Sequence, residues 1–212
     1  MKKLLTITVF AFFALQSYAQ SNMEHISKLE IGKKAKKVFN NKSSDSISSI
    51  HIDTLIMDDK ASLIFYGQKN VNLTIGNAII GNNVSISGTD GKNNGSHFNI
   101  QSNFKKLGSL YIIAKGDNAF NGTKTYPNGN GGNVKLELLD NSIHPQLKDK
   151  KETNYLRVSN EAGGKAVNAT SDLRNIYDRV RQAPAGLRGL PQGQIYSGSP
   201  GIDGKTEIIS TQ

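Results

Sequence analysis

The chain has 212 residues, with 26 lysines and arginines against 17 aspartates and glutamates, a formal net charge of +9, and no cysteine. This length suits one domain or a domain with a tail. The missing thiols exclude a disulfide scaffold, lipid attachment through an N-terminal cysteine, and thiolate zinc or iron–sulfur sites. The basic charge fits a solvated surface or attraction to polyanions, but the aromatic–basic interleaving of RNA-recognition modules is missing, so we expect no nucleic-acid partner.

The first nineteen residues predict export. A short positive head, Met1 to Lys3, precedes an apolar run over 4–15, and Ser17-Tyr18-Ala19 puts small residues at the two positions that a signal peptidase reads. We therefore predict cleavage between Ala19 and Gln20. The apolar run is shorter than the roughly 20 residues that span a bilayer. We expect no integral span after cleavage and a periplasmic, cell-surface or extracellular location, the alternative being a retained membrane anchor.

The body of the chain has the pattern of short strands. Residues 20–49 are rich in Lys, Ser and Asn and predict a polar, partly disordered lead-in. A β-rich domain is expected over 50–170, because apolar and polar residues alternate there with the period of two that half-buried strands show. Glycines and asparagines, which form turns, separate the runs. The predicted strands are 51–56, 62–66, 71–75, 84–87, 97–101, 110–114, 134–138 and 154–159.

Two β architectures fit the spacing of these runs. The short steps between strand centres suit an antiparallel sandwich, and two such steps also make one coil of a parallel solenoid at roughly 20–25 residues per coil. The runs are short, strong two-residue hairpin signals are scarce, and asparagines stand like rungs at Asn77, Asn82 and Asn83. We therefore predict a mainly β chain with a short parallel β-solenoid, and keep the antiparallel β-sandwich as the alternative.

The C-terminal part is expected to be irregular, with one helix. A loop insertion over 139–153 contains Pro145 and a charged run. An amphipathic helix is predicted over 171–182, because an apolar stripe recurs at helical spacing and Pro184 forbids much continuation. The stripe consists of Leu173, Ile176, Tyr177 and Val180. A Gly/Pro-rich tail over 183–212 is expected to end in a last strand at 205–210.

Two segments carry a resemblance to filamentous-haemagglutinin-type β-helices. Residues 110–116 form a strand with an alanine that leads into glycine, and residues 129–136 read Gly-Asn-Gly-Gly-Asn-Val-Lys-Leu. This resembles the coil pattern of those proteins over about thirty residues, a pattern that other glycine-rich secreted proteins share. The resemblance implies a surface or secreted adhesin-like solenoid. The chain departs from it by its short length, by the interruption after Leu138, and by lacking a recognisable secretion-domain motif.

A second resemblance concerns modification. The Ala19-Gln20 junction is similar to that of exported proteins from one group of Gram-negative bacteria, in which O-glycans are attached at Asp-Ser/Thr-aliphatic sequences. Asp45-Ser46-Ile47 and Asp53-Thr54-Leu55 match this three-residue pattern. The resemblance therefore implies O-glycosylation at Ser46 and Thr54.

Groups that could carry catalysis are sparse. The four histidines are isolated in the sequence, so no metal site is predicted. The only tight acidic pair in the β region, Asp58-Asp59, would point to opposite faces of a strand, and no catalytic residue or cofactor is predicted. Tyr66, Tyr111, Tyr126 and Tyr155 are candidates for stacking on sugars beside the many Asn and Gln side chains, the alternative being ordinary packing of these rings.

These observations predict an exported, non-enzymatic surface or envelope protein that is adhesin-like or structural. The alternative is a carbohydrate-active enzyme or a carbohydrate-binding module on the same β scaffold. The expected partners are glycans or other surface components. Open sheet ends can also pair with further copies of the chain, so oligomers are expected to be accessible.

Overall fold

A computed structural model describes residues 23–40, 47–119, 126–139, 142–165 and 199–210, together with the single positions 174, 177 and 181. Within this part the chain forms eleven strands. They are β1 (Glu24–Ile31), β2 (Lys36–Asn40), β3 (Ile47–Met57), β4 (Ser62–Tyr66), β5 (Asn70–Ile80), β6 (Val84–Thr89), β7 (His97–Leu107), β8 (Ser109–Ile113), β9 (Val134–Leu138), β10 (Tyr155–Ser159) and β11 (Thr206–Ser210).

Successive strands alternate between two parallel sheets. The odd-numbered strands form a six-stranded sheet in the order β1-β3-β5-β7-β9-β11, and the even-numbered strands form a five-stranded sheet in the order β10-β8-β6-β4-β2. Every pairing between these strands is parallel. Each coil therefore adds one strand to each sheet. The predicted parallel β-solenoid is confirmed, and parallel pairing rules out the antiparallel sandwich.

The coils lengthen along the chain. Ser62 and Ser85 face each other across adjacent coils at a separation of 23 residues, and Asn83 and Ser109 at 26. Later, Gln101 and Glu137 are 36 residues apart. The amide N–H of Lys205 meets the side chain of Asn133 across 72 residues. The early coils are close to the predicted length, and the later ones carry insertions that leave the stack in register.

The structure adds a first coil in the segment that the sequence predicted to be a polar lead-in. Strands β1 and β2, and the start of β3, lie within 20–49. Their apolar residues are few, but Ile31 is buried, and Ile26, Leu29 and Phe39 pack against the core. Lysines dominate the rest of this end coil because its outer surface meets water, and charged edges discourage pairing with other chains. That charge masked the strand pattern in the sequence.

The six-stranded sheet is folded along a line that crosses its first three strands. In β3 the buried residues are Ile50, Ile52, Leu55 and Met57, so Asp53 and Thr54 both face outward. Two consecutive outward residues require a bend, because side chains of a straight strand alternate. The pairing of β1 with β3 and that of β3 with β5 both lack a register pair at Asp53. Gly76 of β5 lies there, and a Cβ on it would stand 2.8 Å from the carbonyl oxygen of Asp53.

The core is a continuous column of aliphatic side chains with three phenylalanines at one level. Phe65 is fully buried, stacks on Phe39 of the previous coil with 5.5 Å between centroids, and meets Phe98 edge-on at 5.9 Å. Gly88 is the register partner of Phe65 in the following coil. A Cβ on Gly88 would lie 2.5 Å from Oγ of Ser96 and 2.9 Å from the ring of Phe98, so the missing side chain makes room for both.

Several sequence predictions concern parts of the chain outside the described residues. The leader and the Ala19–Gln20 junction are outside them, and so is Ser46. The helix predicted over 171–182 is not shown. Only its Arg174, Tyr177 and Arg181 are described, and their side chains are exposed. The last strand, predicted at 205–210, is observed as β11 and pairs with β9.

Candidate functional site

The outer surface of the six-stranded sheet carries rows of polar side chains. Because the coils stack in register, outward residues at one level follow each other at the strand spacing of about 4.8 Å. One row consists of Ser49, Asn72, Asn99, Lys135 and Glu207. The row beside it starts at the exposed Ile47 of β3 and continues through the register partners Asn70 and His97.

These rows enclose a shallow groove of about 530 Å³ on the later coils. We call its polar lining the amide face, and it consists of Asn70, Asn72, His97, Asn99, Asn133, Lys135, Lys205 and Glu207. Four of the eight side chains are carboxamides. Each carboxamide offers two N–H donors and an acceptor oxygen. The face can therefore hydrogen-bond to neutral hydroxyl groups without requiring a charged ligand.

Part of the amide face is held by hydrogen bonds between coils. The Nδ1 atom of His97 accepts a bond from the amide N–H of Asn133 at 3.0 Å. The Oδ1 atom of Asn133 in turn accepts the N–H of Lys205 at 2.9 Å. In neutral His97 the ring proton must then sit on Nε2. The side chains of His97 and Asn133 therefore connect neighbouring coils and also line the groove.

Other members of the face remain available to a ligand. The Asn72 side chain donates to Ser49 Oγ at 3.2 Å. The side chains of Asn70 and Asn99 have no hydrogen-bond partner among the described residues. Since β5 and β7 fix their backbones, both carboxamides are presented from a rigid sheet rather than from a loop.

The acids on and near this surface lie beside polar or basic neighbours. Glu207 is the register partner of Lys135. Glu137, beside the groove on β9, accepts a hydrogen bond from the side chain of Gln101 at 3.2 Å. Asp59 lies in the turn after β3, where its Oδ1 accepts the amide N–H of Asn82 at 2.7 Å. The tight pair Asp58-Asp59 therefore has a role in connecting coils.

Of the four candidate tyrosines, the structure brings only Tyr111 and Tyr155 together, and none of the four lies on the amide face. Tyr66 ends β4 on the other sheet and is 55% exposed. Tyr111 packs edge-on against the buried Tyr155 with 5.9 Å between centroids. Tyr126 precedes β9, and its carbonyl oxygen lies 3.4 Å from the Asn93 side chain. Packing accounts for Tyr111 and Tyr155, and Tyr66 is the most exposed ring of the four.

The structure brings together three groups that are distant in the sequence. His25 and His51 are register partners in β1 and β3, and their rings stack with 5.2 Å between centroids. Both Nε2 atoms approach the same oxygen, Oδ1 of Asp53, at 2.9 and 3.1 Å. The hydrogen bond from His25 is the leading cause that holds the pKa of Asp53 below its ordinary value. The only signal in the sequence was the 26-residue spacing of one coil.

Thr54, a predicted glycosylation site, lies on the fold line and faces outward while remaining half-buried. Its flanking residues differ in their environments. The carboxylate of Asp53 is engaged by the two histidines, and Leu55 is buried in the core. A modifying enzyme would have to read this sequence in a paired strand.

Comparison with protein-family models, with curated proteins and with solved structures finds no significant match for this chain. Within the described ranges, no helix has both the length and the apolar character needed to cross a membrane.

Proposed function

We propose that this chain is an exported, non-enzymatic surface or envelope protein that binds a glycan through its amide face. The observation that carries the proposal is the groove on the six-stranded sheet, in which four carboxamides are held at fixed spacing. Sugars present hydroxyl groups that both donate and accept hydrogen bonds, and carboxamides match them in both roles. A repeated surface on a rigid solenoid suits a repeated polymer.

The charges on the face favour a neutral or acidic glycan. Lys135 and Lys205 contribute two positive charges to the lining, and Glu207 contributes one negative charge. The formal net charge of +9, which becomes +7 when Lys2 and Lys3 of the predicted leader are removed, adds a long-range attraction toward anions. Apart from the imidazole of His97, the polar lining of the groove has no aromatic ring, so hydrogen bonds rather than stacking would supply most of the specificity.

An adhesive or structural role also requires protected ends. At the first coil, exposed Lys36 and Lys37 lie on the edge strand β2 and oppose pairing with other chains. At the last coil, Leu156, Val158 and Ile208 line an opening of about 320 Å³. We include in the proposal that the amphipathic helix expected over 171–182 covers this end.

The test is glycan-array binding by the chain without its predicted leader, residues 20–212. The double variant Asn70→Ala/Asn99→Ala removes two carboxamides that have no partner in the described part of the chain, so the fold should be retained. Loss of two hydrogen bonds at about 1 kcal/mol each should weaken binding roughly 30-fold. Asn40→Ala, an exposed asparagine at the end of β2 on the other sheet, is the matched control.

The competing functions give different results in the same experiment. If Tyr66→Ala abolishes binding and the double asparagine variant does not, the five-stranded sheet carries the site and the proposal is wrong. A carbohydrate-active enzyme would release reducing sugar from a polysaccharide and lose that activity in Glu137→Gln or Glu207→Gln. Sugar release by the wild-type chain would replace the non-enzymatic proposal with the enzymatic one.

A further inference from the structure

The His25–His51–Asp53 cluster lies outside the amide face, on the first two coils. The nitrogen and oxygen atoms that these side chains can offer to a metal all lie within 4.8 Å of one another. The three side chains are 57%, 33% and 48% exposed, respectively, so the cluster opens to solvent. A dissolved ion can therefore reach the three side chains, whose ligand atoms lie close together.

The solenoid fixes this arrangement through its backbone. Parallel pairing sets His25 directly beside His51, and the ring stack holds the two imidazoles nearly parallel, at an angle of 26°. Asp53 follows His51 by two residues and so shares its face. The fold line then turns the chain at Asp53 and Thr54, which are both outward. The three ligand atoms are therefore preorganised by secondary structure rather than by a loop.

The distances fit a small coordination sphere. Bonds of about 2.0–2.1 Å from a tetrahedral zinc ion place its ligand atoms roughly 3.3 Å apart. Each Nε2 atom already lies close to that distance from Oδ1 of Asp53, at 2.9 and 3.1 Å. A bound dication would take the place of the ring protons through which the two Nε2 atoms can donate to this oxygen.

We propose that His25, His51 and Asp53 form a binding site for a divalent transition-metal ion of the zinc class. Two imidazoles and one carboxylate suit Zn²⁺, Ni²⁺ and Cu²⁺, whereas Mg²⁺ prefers six oxygen ligands. Three protein ligands leave the fourth tetrahedral position open to water or to an anionic group of another molecule. The site is independent of glycan binding, because none of its residues belongs to the amide face.

The charged groups around the site are few. On β1, Glu24 is exposed, and Lys28 forms an ion pair with Glu30 at 3.0 Å. On the other side, β5 carries no titratable side chain. The carboxylate of Asp53 is thus the principal negative charge facing the imidazoles. Because a metal ion binds the neutral imidazole and competes with protons for its nitrogen, metal affinity should fall as the pH is lowered.

The test is isothermal titration of untagged residues 20–212 with Zn²⁺ alone, Ni²⁺ alone and Mg²⁺ alone. We expect saturable binding of one Zn²⁺ and one Ni²⁺ per chain, and none of Mg²⁺. His51→Ala and Asp53→Asn should each weaken Zn²⁺ binding by more than about tenfold, the loss that even an outer-shell partner of a metal ligand causes. Asp53→Asn keeps an acceptor oxygen, so it removes the charge without removing the hydrogen bonds.

The control is His144→Ala, which removes a histidine that faces Ser210 at the other end of the stack. It should bind Zn²⁺ as the wild type does, and circular dichroism should show that every variant keeps its β structure. Nuclear magnetic resonance of the histidine rings should show shifts on Zn²⁺ addition at His25 and His51. Absence of saturable Zn²⁺ binding, or unchanged binding in both His51→Ala and Asp53→Asn, would overturn the proposal.

Discussion

The first three coils and the later coils hold themselves together by different means. Early turns are short and joined by backbone hydrogen bonds, such as Lys34 N–H to Asp59 and Lys60 N–H to Asn82, at 3.0 and 2.8 Å. Lys34, Lys60 and Asn83 have left-handed backbones with φ near +60° at equivalent turns. A repeated turn of fixed length thus keeps the early coils in register.

The later coils depend on asparagine side chains and on glycines. Oδ1 of Asn94 accepts the N–H of Asn130 at 2.9 Å, and Oδ1 of Asn130 accepts the N–H of Ile202 at 2.8 Å. Glycines 95, 129, 131, 132 and 204 stand where a Cβ would overlap backbone atoms of a neighbouring segment. Long insertions separate the strands of these coils. Side-chain hydrogen bonds and close backbone contacts therefore take the place of the short turns. The two regions share one core, but short repeated turns join the early coils, whereas side-chain bonds and glycine contacts join the later ones.

The largest effect is expected from Gly132→Ala. The new Cβ would overlap the carbonyl oxygen of Ser96, and backbone atoms cannot move aside as a flexible side chain can. A loss above about 4 kcal/mol is expected where backbone must shift in a packed region. Native-state hydrogen exchange should show protection lost in β9 and β11 and retained in β3 and β5, because solenoid coils contact mainly their neighbours.

Gly32→Ala is the matched control, since a Cβ there meets nothing within 4 Å. It should leave the exchange pattern unchanged. If Gly132→Ala lowers protection equally in early and late strands, the coils unfold as one cooperative unit and the comparison between the regions fails.

The next effect is expected from Phe65→Ala in the early core. Phe65 is fully buried between Phe39 and Phe98, and truncation of a buried phenylalanine costs about 3–5 kcal/mol through lost burial and the cavity left behind. Urea unfolding followed by exchange at β2, β4 and β6 would measure the loss. Tyr66→Ala removes the adjacent, 55% exposed ring and should change stability by less than about 0.5 kcal/mol. Equal losses in the two variants would show that this aromatic stack contributes little.

The early core is also where the sequence was most informative. Alternation through Ser62–Tyr66 and Val71–Ile75 predicted strands, and parallel coils were preferred because hairpin turns are scarce. Alternation reports which residues are buried but not which strand lies beside which. The pattern alone therefore did not exclude an antiparallel sandwich. The parallel pairing of Ile50 with Leu73, and of the residues around them, excludes it.

Features that depend on register escaped the sequence analysis. His25 and His51 meet because Ile26 pairs with Ile52, a choice made by the whole stack. The amide face likewise joins Asn72 to Asn99 across a full coil. The lead-in was underestimated because charged and polar residues separate its apolar ones, which is a property of an end coil with one solvated side. The pairing of distant strands depends on the packing of the whole stack. The residue pattern of one sequence indicates mainly the local preference for strand or turn.

The smallest effect on stability is expected at Asp203, which connects two segments at the edge of the later coils. Its Oδ2 atom is bonded to Lys165 at 2.5 Å, and its Oδ1 accepts the N–H of Ala162 at 2.7 Å. The bond from Lys165, followed by that from Ala162, holds the pKa of Asp203 below its ordinary value of 3.8. A carboxyl with a lowered folded-state pKa stabilises the fold above its ordinary value and loses this contribution as pH falls through the lowered one.

A double-mutant cycle of Asp203→Asn and Lys165→Met would isolate this contribution. Asp203→Asn keeps an oxygen that can accept the N–H of Ala162. The cycle therefore measures the free energy of the ion pair with Lys165 and not that of the bond to Ala162. The coupling should be present at pH 7, shrink on acidification below about 3.8, and diminish with added salt because both side chains are half-exposed. A coupling that is unchanged at low pH would mean that this edge of the later coils is held by its backbone and asparagine bonds alone, with no share from this charge pair.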